Sequence, residues 1–235
     1  MSSRPTFDPL DLAVMANAVA MIAEEMGTVL ERGSLSPNIR ERRDASSALF
    51  DAQGRMVAQA AHIPVHLGAM PESVRAVRDR QPSPGDVFIL NSPFHGGSHL
   101  PDLTLVEAID LEGEVAGYAA VRAHHADVGG MSPGSMPQGA TELVQEGLIL
   151  PPIQLVRRGV MDDAILELIL ANVRTPLLRR AHVLPGVGDR AAVLVQHEGP
   201  TFHRRLALAL RTGEAGLVAF LEVVLRRRLV GAPRD

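Results

Sequence analysis

Six of the nine histidines crowd into one stretch of the chain, at His62, His66, His95, His99, His124 and His125. Carboxylates accompany them at Asp102 and Asp127, and Asp44 lies upstream. Imidazole and carboxylate together are the donors that hold a divalent transition metal while leaving positions open for water or substrate. No cysteine is present. Thiolate zinc sites, iron–sulfur clusters, disulfides and thiol nucleophiles are thereby excluded, and any metal has to be held by His, Asp and Glu.

What brings such residues together is a hairpin. Residues 103–109 and 115–123 flank the turn Leu111-Glu112-Gly113-Glu114. Antiparallel pairing about that turn sets residues whose numbers sum to about 225 opposite one another. Asp102 then lies beside Ala123 and His124, so His99, Asp102 and His124 converge at one end of the hairpin, with Asp44 or a water to complete a shell. Side chains alternate along a strand, so only one of His124 and His125 can join that cluster, and a register change of one residue decides which. Taken singly, His62, His66 and His95 are expected in structural or supporting roles.

Weaker candidates surround this set. Glu142 and Glu146, four residues apart, would share a face if they lay on a helix. Ser132 and Ser135 lie in a Gly-rich loop with backbone N–H groups suited to an anion. Arg40, Arg42 and Arg43 could clamp a carboxylate or phosphate, though a charge run of this kind is usually a solvated face. The run Arg226-Arg227-Arg228 is expected to decorate a helix.

The other elements follow from pattern. Asp8-Pro9 starts a helix whose apolar positions Leu12, Met15, Ala16, Val19, Ile22, Ala23, Met26, Val29 and Leu30 recur at helical spacing, with Gly33 as its stop. After a Ser36-Pro37-Asn38 loop, residues 47–50 and 56–59 form a hairpin about Asp51-Ala52-Gln53-Gly54, placing Asp44 near His62 at its open end. Residues 71–80 read as a short helix, 87–90 as a buried strand and 162–172 as a compact helix with Ile165, Leu166, Ile169 and Leu170 inward. Two further helical stretches are expected near 202–210 and 216–229.

Composition limits the partners. The 235 residues are 46% hydrophobic and carry a net charge of −4, which argues against nucleic acid. All basic residues are arginine, so neither a Schiff-base lysine nor a Walker-type phosphate lysine exists. Aromatic residues make up 3%, without tryptophan and with Tyr118 as the single tyrosine; stacking platforms are not expected. The opening residues lack a signal-peptide layout and the apolar runs are too short to span a bilayer, so a soluble cytoplasmic protein is expected.

Six blocks carry a family resemblance. They are Ser36-Pro37-Asn38-Ile39-Arg40-Glu41-Arg42-Arg43-Asp44-Ala45-Ser46, His62-Ile63-Pro64-Val65-His66-Leu67-Gly68, Gly96-Gly97-Ser98-His99-Leu100-Pro101-Asp102, Arg122-Ala123-His124-His125-Ala126-Asp127-Val128-Gly129-Gly130, Gln145-Glu146-Gly147 and Leu170-Ala171-Asn172-Val173-Arg174-Thr175-Pro176. In their order they resemble the hydantoinase B/5-oxoprolinase family, which includes N-methylhydantoinase and caprolactamase B subunits and the alpha subunits of acetone carboxylases. The family usually has Asn-Asp-Pro-Tyr where this chain has Asn91-Ser92-Pro93-Phe94.

That resemblance implies an α+β fold of antiparallel hairpins packed with a long N-terminal helix. It covers residues 1–180, truncated relative to the family, with 181–235 a divergent helical tail. It also implies a divalent metal (zinc, manganese or iron) at Asp44, His99, Asp102 and His124. The implied partner is a hydantoinase A-like ATPase subunit that uses the ATP and phosphorylates a small cyclic amide, which the B-type subunit then opens. His125, Asp127 and Glu146 are expected to contact substrate or move protons. Two alternatives accompany this reading: an inert remnant that keeps only the fold core or partner binding, and a carboxylase subunit of the acetone carboxylase type.

Overall fold

A computed structural model describes residues 9–63, 66, 68–111 and 113–176. Its centre is a seven-stranded sheet in the order β2-β1-β5-β4-β3-β6-β7, with every neighbouring pair antiparallel. The strands are β1 (Ala45–Asp51), β2 (Met56–Ala61), β3 (Val87–Leu90), β4 (Asp102–Leu111), β5 (Glu114–His124), β6 (Ile153–Arg157) and β7 (Val160–Met161). Four helices accompany them: α1 (Pro9–Gly33), α2 (Pro37–Arg40), α3 (Met70–Arg78) and α4 (Asp163–Ala171). The expected α+β class is what the chain forms. The tail stretches near 202–210 and 216–229, and Asp8, lie outside the described residues.

Alternation along the strands sorts their side chains onto two faces. One face carries Ala45, Leu49, Val87, Ile89, Leu103, Leu105, Val121 and Ala123, and buries them under Val19, Ile22, Met26 and Leu30 of α1 and Leu166, Ile169 and Leu170 of α4. The other carries Ala48, Phe50, Phe88, Leu90, Val106 and Tyr118 beneath Met70, Val74 and Val77 of α3. Those three α3 residues recur at helical spacing. Fully burying each such side chain stabilises the fold by about 1.5–3 kcal/mol.

Several sequence expectations need correction. The Ser36-Pro37-Asn38 loop is instead the start of α2, a single helical turn with Pro37 in its first positions, where a missing N–H costs nothing. Ala16, assigned to the inner face of α1, is exposed. Glu142 and Glu146 share no helical face, because only Leu143–Gln145 forms a turn of 3-10 helix between them. Strands β6 and β7 were not anticipated. Arg158 and Gly159 join them with φ of 47° and 80°, the two positive values of a tight hairpin turn.

Candidate metal centre

The β4–β5 register fixes which histidine enters the cluster. Near the turn Asp110 pairs with Val115, but a bulge between Ile109 and Asp110 shifts the count, and Asp102 pairs with His124. On the adjoining strand Ala45 pairs with Ala123, and the His124 backbone N–H donates to the Asp44 carbonyl at 3.0 Å. Asp44, His124 and Asp102 therefore stand in one row across β1, β5 and β4, on the α3 side. His125, one residue on, falls on the opposite face.

The next row on the same side is Ser46, Arg122 and Thr104. The Arg122 guanidinium is fully buried, and each of its three nitrogens finds oxygen. Nε donates to Thr104 Oγ1 at 2.8 Å, Nη1 to Ser98 Oγ at 3.2 Å, and Nη2 to Ser73 Oγ at 2.9 Å and the Gly96 carbonyl at 2.7 Å. One cation thus ties two strands, α3 and the loop that carries His99. Ser98 Oγ passes the contact on, donating to Asp102 Oδ2 at 2.9 Å.

The same loop is clipped at its other side by Asn91, whose Nδ2 donates to the Leu100 and Leu148 carbonyls and whose Oδ1 accepts from Leu150 N–H. Gly97 passes so close to the Asn91 carbonyl that any Cβ there would collide with it. Sequence reasoning did not find the Asn91 and Arg122 roles. Asn91 follows a buried strand and opens the Gly/Pro loop, the one local signal it offered.

His99, Asp102 and His124 come together: one ligand atom from each lies within 4.8 Å of the others. His99 Nδ1 is 2.9 Å from Asp102 Oδ2, and His124 Nδ1 is 3.0 Å from Asp102 Oδ1. The two rings stack with centroids 5.2 Å apart. Asp44 borders this trio, its Oδ2 4.0 Å from His124 Nδ1. A third imidazole, His66, is fully buried with Nε2 3.6 Å from Asp102 Oδ2.

Burial alone would raise the Asp102 carboxyl, but hydrogen bonding from His124 and His99, with the His66 imidazole close by, wins and holds it far below the usual carboxylate range. His99 moves the other way. Its hydrogen bond to Asp102 raises it against the lowering effect of burial, with help from the charges of Asp102, Asp44 and Glu146. Asp102 is thus anionic at neutral pH despite its burial, with imidazoles around it.

These residues fit a divalent ion on their own chemistry. Two imidazoles and a carboxylate are the expected donor set. His66 Nε2, buried and without a hydrogen bond, faces the same two carboxylates. A cation among these groups would also balance the charge of Asp102 and Asp44.

The remaining site expectations fall elsewhere. His125 lies with Asn91, Leu103, Asp127, Val128, Leu148, Leu150, Ile169 and Val173 around a small apolar pocket on the α4 side. Asp127 belongs to a clasp: it accepts from Arg174 N–H and Nη1 at 2.8 Å each, from Gly129 N–H at 3.3 Å and from Ser135 Oγ at 3.2 Å. Burial opposes its ionisation, and those donors overcome it and hold the carboxyl low. Glu146 closes the 3-10 turn and acts on His99 through charge. His62 turns toward α1, its Nε2 against Gly27, and His95 bonds Ser92 Oγ through Nδ1 at 3.1 Å. Neither joins the cluster.

A sequence model of the hydantoinase B/oxoprolinase family matches residues 8–184. The chain belongs to that family. An uncharacterised protein of Methanocaldococcus jannaschii is 43% identical over 175 residues, which are 72% of this chain and 31% of that protein. The 5-oxoprolinase of Saccharomyces cerevisiae is 42% identical over 163 residues, 68% of this chain and 13% of the enzyme. The caprolactamase subunit beta of Pseudomonas jessenii is 33% identical over 172 residues, covering 72% and 30%. The crystal structure of the ATP-dependent caprolactamase from that organism superposes with a TM-score of 0.76 at 26% identity, covering 98% of this chain and 40% of that one. This chain therefore spans a third or less of these curated relatives' length. Among the described residues no helix is long and apolar enough to cross a membrane.

Proposed function

We propose that this chain supplies the metal-holding part of a B-type subunit that opens a cyclic amide after ATP-dependent activation by a hydantoinase A-like partner. The observation that carries it is the convergence of His99, Asp102 and His124 within 4.8 Å. The names of the oxoprolinase and caprolactamase relatives support the substrate class. The lack of any lysine, and hence of a phosphate-loop lysine, supports ATP use on the partner.

A bound zinc, manganese or iron ion would polarise a carbonyl or lower the pKa of a water. Asp102 and His124, held by the sheet, and His99, held by the Asn91-clipped loop, would be its ligands, with Asp44 beside them. His99 is the half-exposed member, its side chain 36% accessible, so substrate approaches from its side. Its raised proton affinity suits it to hold a proton at the rim when no ion is bound. Of the three residues expected to touch substrate, Glu146 stays a candidate for proton transfer because its charge reaches His99. His125 and Asp127 serve the α4 side.

Elemental analysis of the purified chain tests the metal. About one equivalent is expected, falling below about a tenth in Asp102→Asn. Less than a tenth in the unsubstituted chain overturns the proposal. Assays with lactam substrates should show turnover only when ATP and an A-type subunit are both added. Turnover by the chain alone would contradict the division of labour.

A further inference from the structure

We infer that His66 is a positioning residue of this centre: its Nε2–H draws the Asp44 and Asp102 carboxylates toward one shared ion. The inference rests on the metal reading above and adds a residue to it.

His66 is fully buried, and its Nε2 has no hydrogen-bond partner. That nitrogen nonetheless points between two carboxylates, 3.6 Å from Asp102 Oδ2 and 3.9 Å from Asp44 Oδ1. Both contacts are slightly too long for hydrogen bonds, and a shift of about half an ångström would close the first and about an ångström the second. Ionised carboxylate oxygens only accept. A ring nitrogen facing two of them is favourable as N–H and repulsive as a lone pair. The far side of the ring agrees, since the buried Ser46 hydroxyl lies 3.0 Å from Nδ1 and can donate there. Ser46 thus accommodates the tautomer that the two carboxylates favour, in which Nε2 carries the hydrogen.

The arrangement has a purpose in a metal site. Asp44 and Asp102 repel one another, and Asp44 stands outside the tight trio. One N–H shared between them offsets that repulsion and aims both toward His124, whose Nδ1 is 3.0 Å from Asp102 and 4.0 Å from Asp44. Outer partners of this sort typically change metal affinity by about 10–100-fold. Because Ser46, His124 and Asp102 belong to three adjacent strands, the sheet register itself sets the distances.

The test is Zn²⁺ affinity of the full chain, by competition with a chromophoric chelator, for the unsubstituted protein, His66→Gln and His66→Asn. The Gln amide reaches the Nε2 position and can still donate; the Asn amide reaches only the Nδ1 position. Affinity is expected to stay within about threefold in His66→Gln and to fall by about 10–100-fold in His66→Asn, with equal metal-free melting of the two variants. Equal affinity in all three proteins overturns the inference. Equal loss in both variants also overturns it, since the ring would then be a ligand or a packing element. A His66→Asn chain that no longer folds assigns the residue to packing and overturns it too. If the unsubstituted chain binds no Zn²⁺, the metal reading itself falls, and this one with it.

Discussion

Asp102 and Asp127 are both buried carboxylates near the end of β5, yet they sit on opposite faces of the sheet and are satisfied in different ways. Asp127 is held by groups that cannot change: two backbone N–H groups, the Ser135 hydroxyl and the Arg174 guanidinium. Asp102 has the Ser98 hydroxyl and otherwise imidazoles, which can lose a proton, turn or take an ion. A fixed cation makes a clasp, whereas a ring of titratable donors makes a place for an exchangeable cation. Neighbouring His124 and His125 fall on either side of that divide through strand alternation alone.

Removing the clasp should show the contrast most strongly. Asp127→Asn keeps the shape but loses the charge-assisted bonds to Arg174, which carry Val173 and the end of α4 against the 128–135 loop. A loss of about 2 kcal/mol in unfolding free energy is expected from urea titration, with Zn²⁺ affinity unchanged. A fall in affinity as large as that of Asp102→Asn would break the division between the two carboxylates.

Their pH behaviour should differ as well. Both carboxyls are held below their ordinary value, so each contributes stability that is complete above about pH 4 and is lost as pH falls. His99 is raised, so its contribution is complete below about pH 6.5 and is lost as pH rises through its higher folded value. Metal-free chain should therefore lose urea resistance on the alkaline side, and His99→Gln should flatten that limb. The Asp127 side has none, because Arg174 stays charged throughout. An alkaline slope that survives in His99→Gln would mean the loss originates elsewhere.

Much of this contrast could be read from the chain. The long helix, both hairpins, the strand at 87–90 and the convergence of His99, Asp102 and His124 follow from periodicity and from counting outward from the Gly113 turn. The bulge at Ile109 could not be counted, yet it separates a register that gives Asp102 to His124 from one that shares it with Ala123. Asn91, and the reach of His66 to two carboxylates, were hidden for another reason. Apart from Leu100, their partners lie 20 to 59 residues away, and no local period records a contact of that range. The β6–β7 turn does leave a local signal, Arg158-Gly159 between two apolar stretches. Asp127 looked like Asp102 because a carboxylate beside a histidine looks the same whether arginine or imidazole completes its shell. Only the fold brings Arg174 across from the far end of α4.

The smallest effect belongs to Glu146. Its backbone is pinned under Gly130, where a Cβ would come within 2.6 Å of the Glu146 carbonyl carbon. It makes the smallest contribution to raising His99, by charge across space. Glu146→Gln preserves the shape and deletes the charge. The His99 ring resonances, followed by NMR in the metal-free chain, should then titrate at a lower midpoint, while Zn²⁺ affinity changes by less than about threefold. If the midpoint stays put, the carboxylate is electrically remote from the cluster. Asp102 would then be contrasted with Asp127 through its imidazoles and Asp44 alone, and Glu146 would lose its place beside the reacting groups.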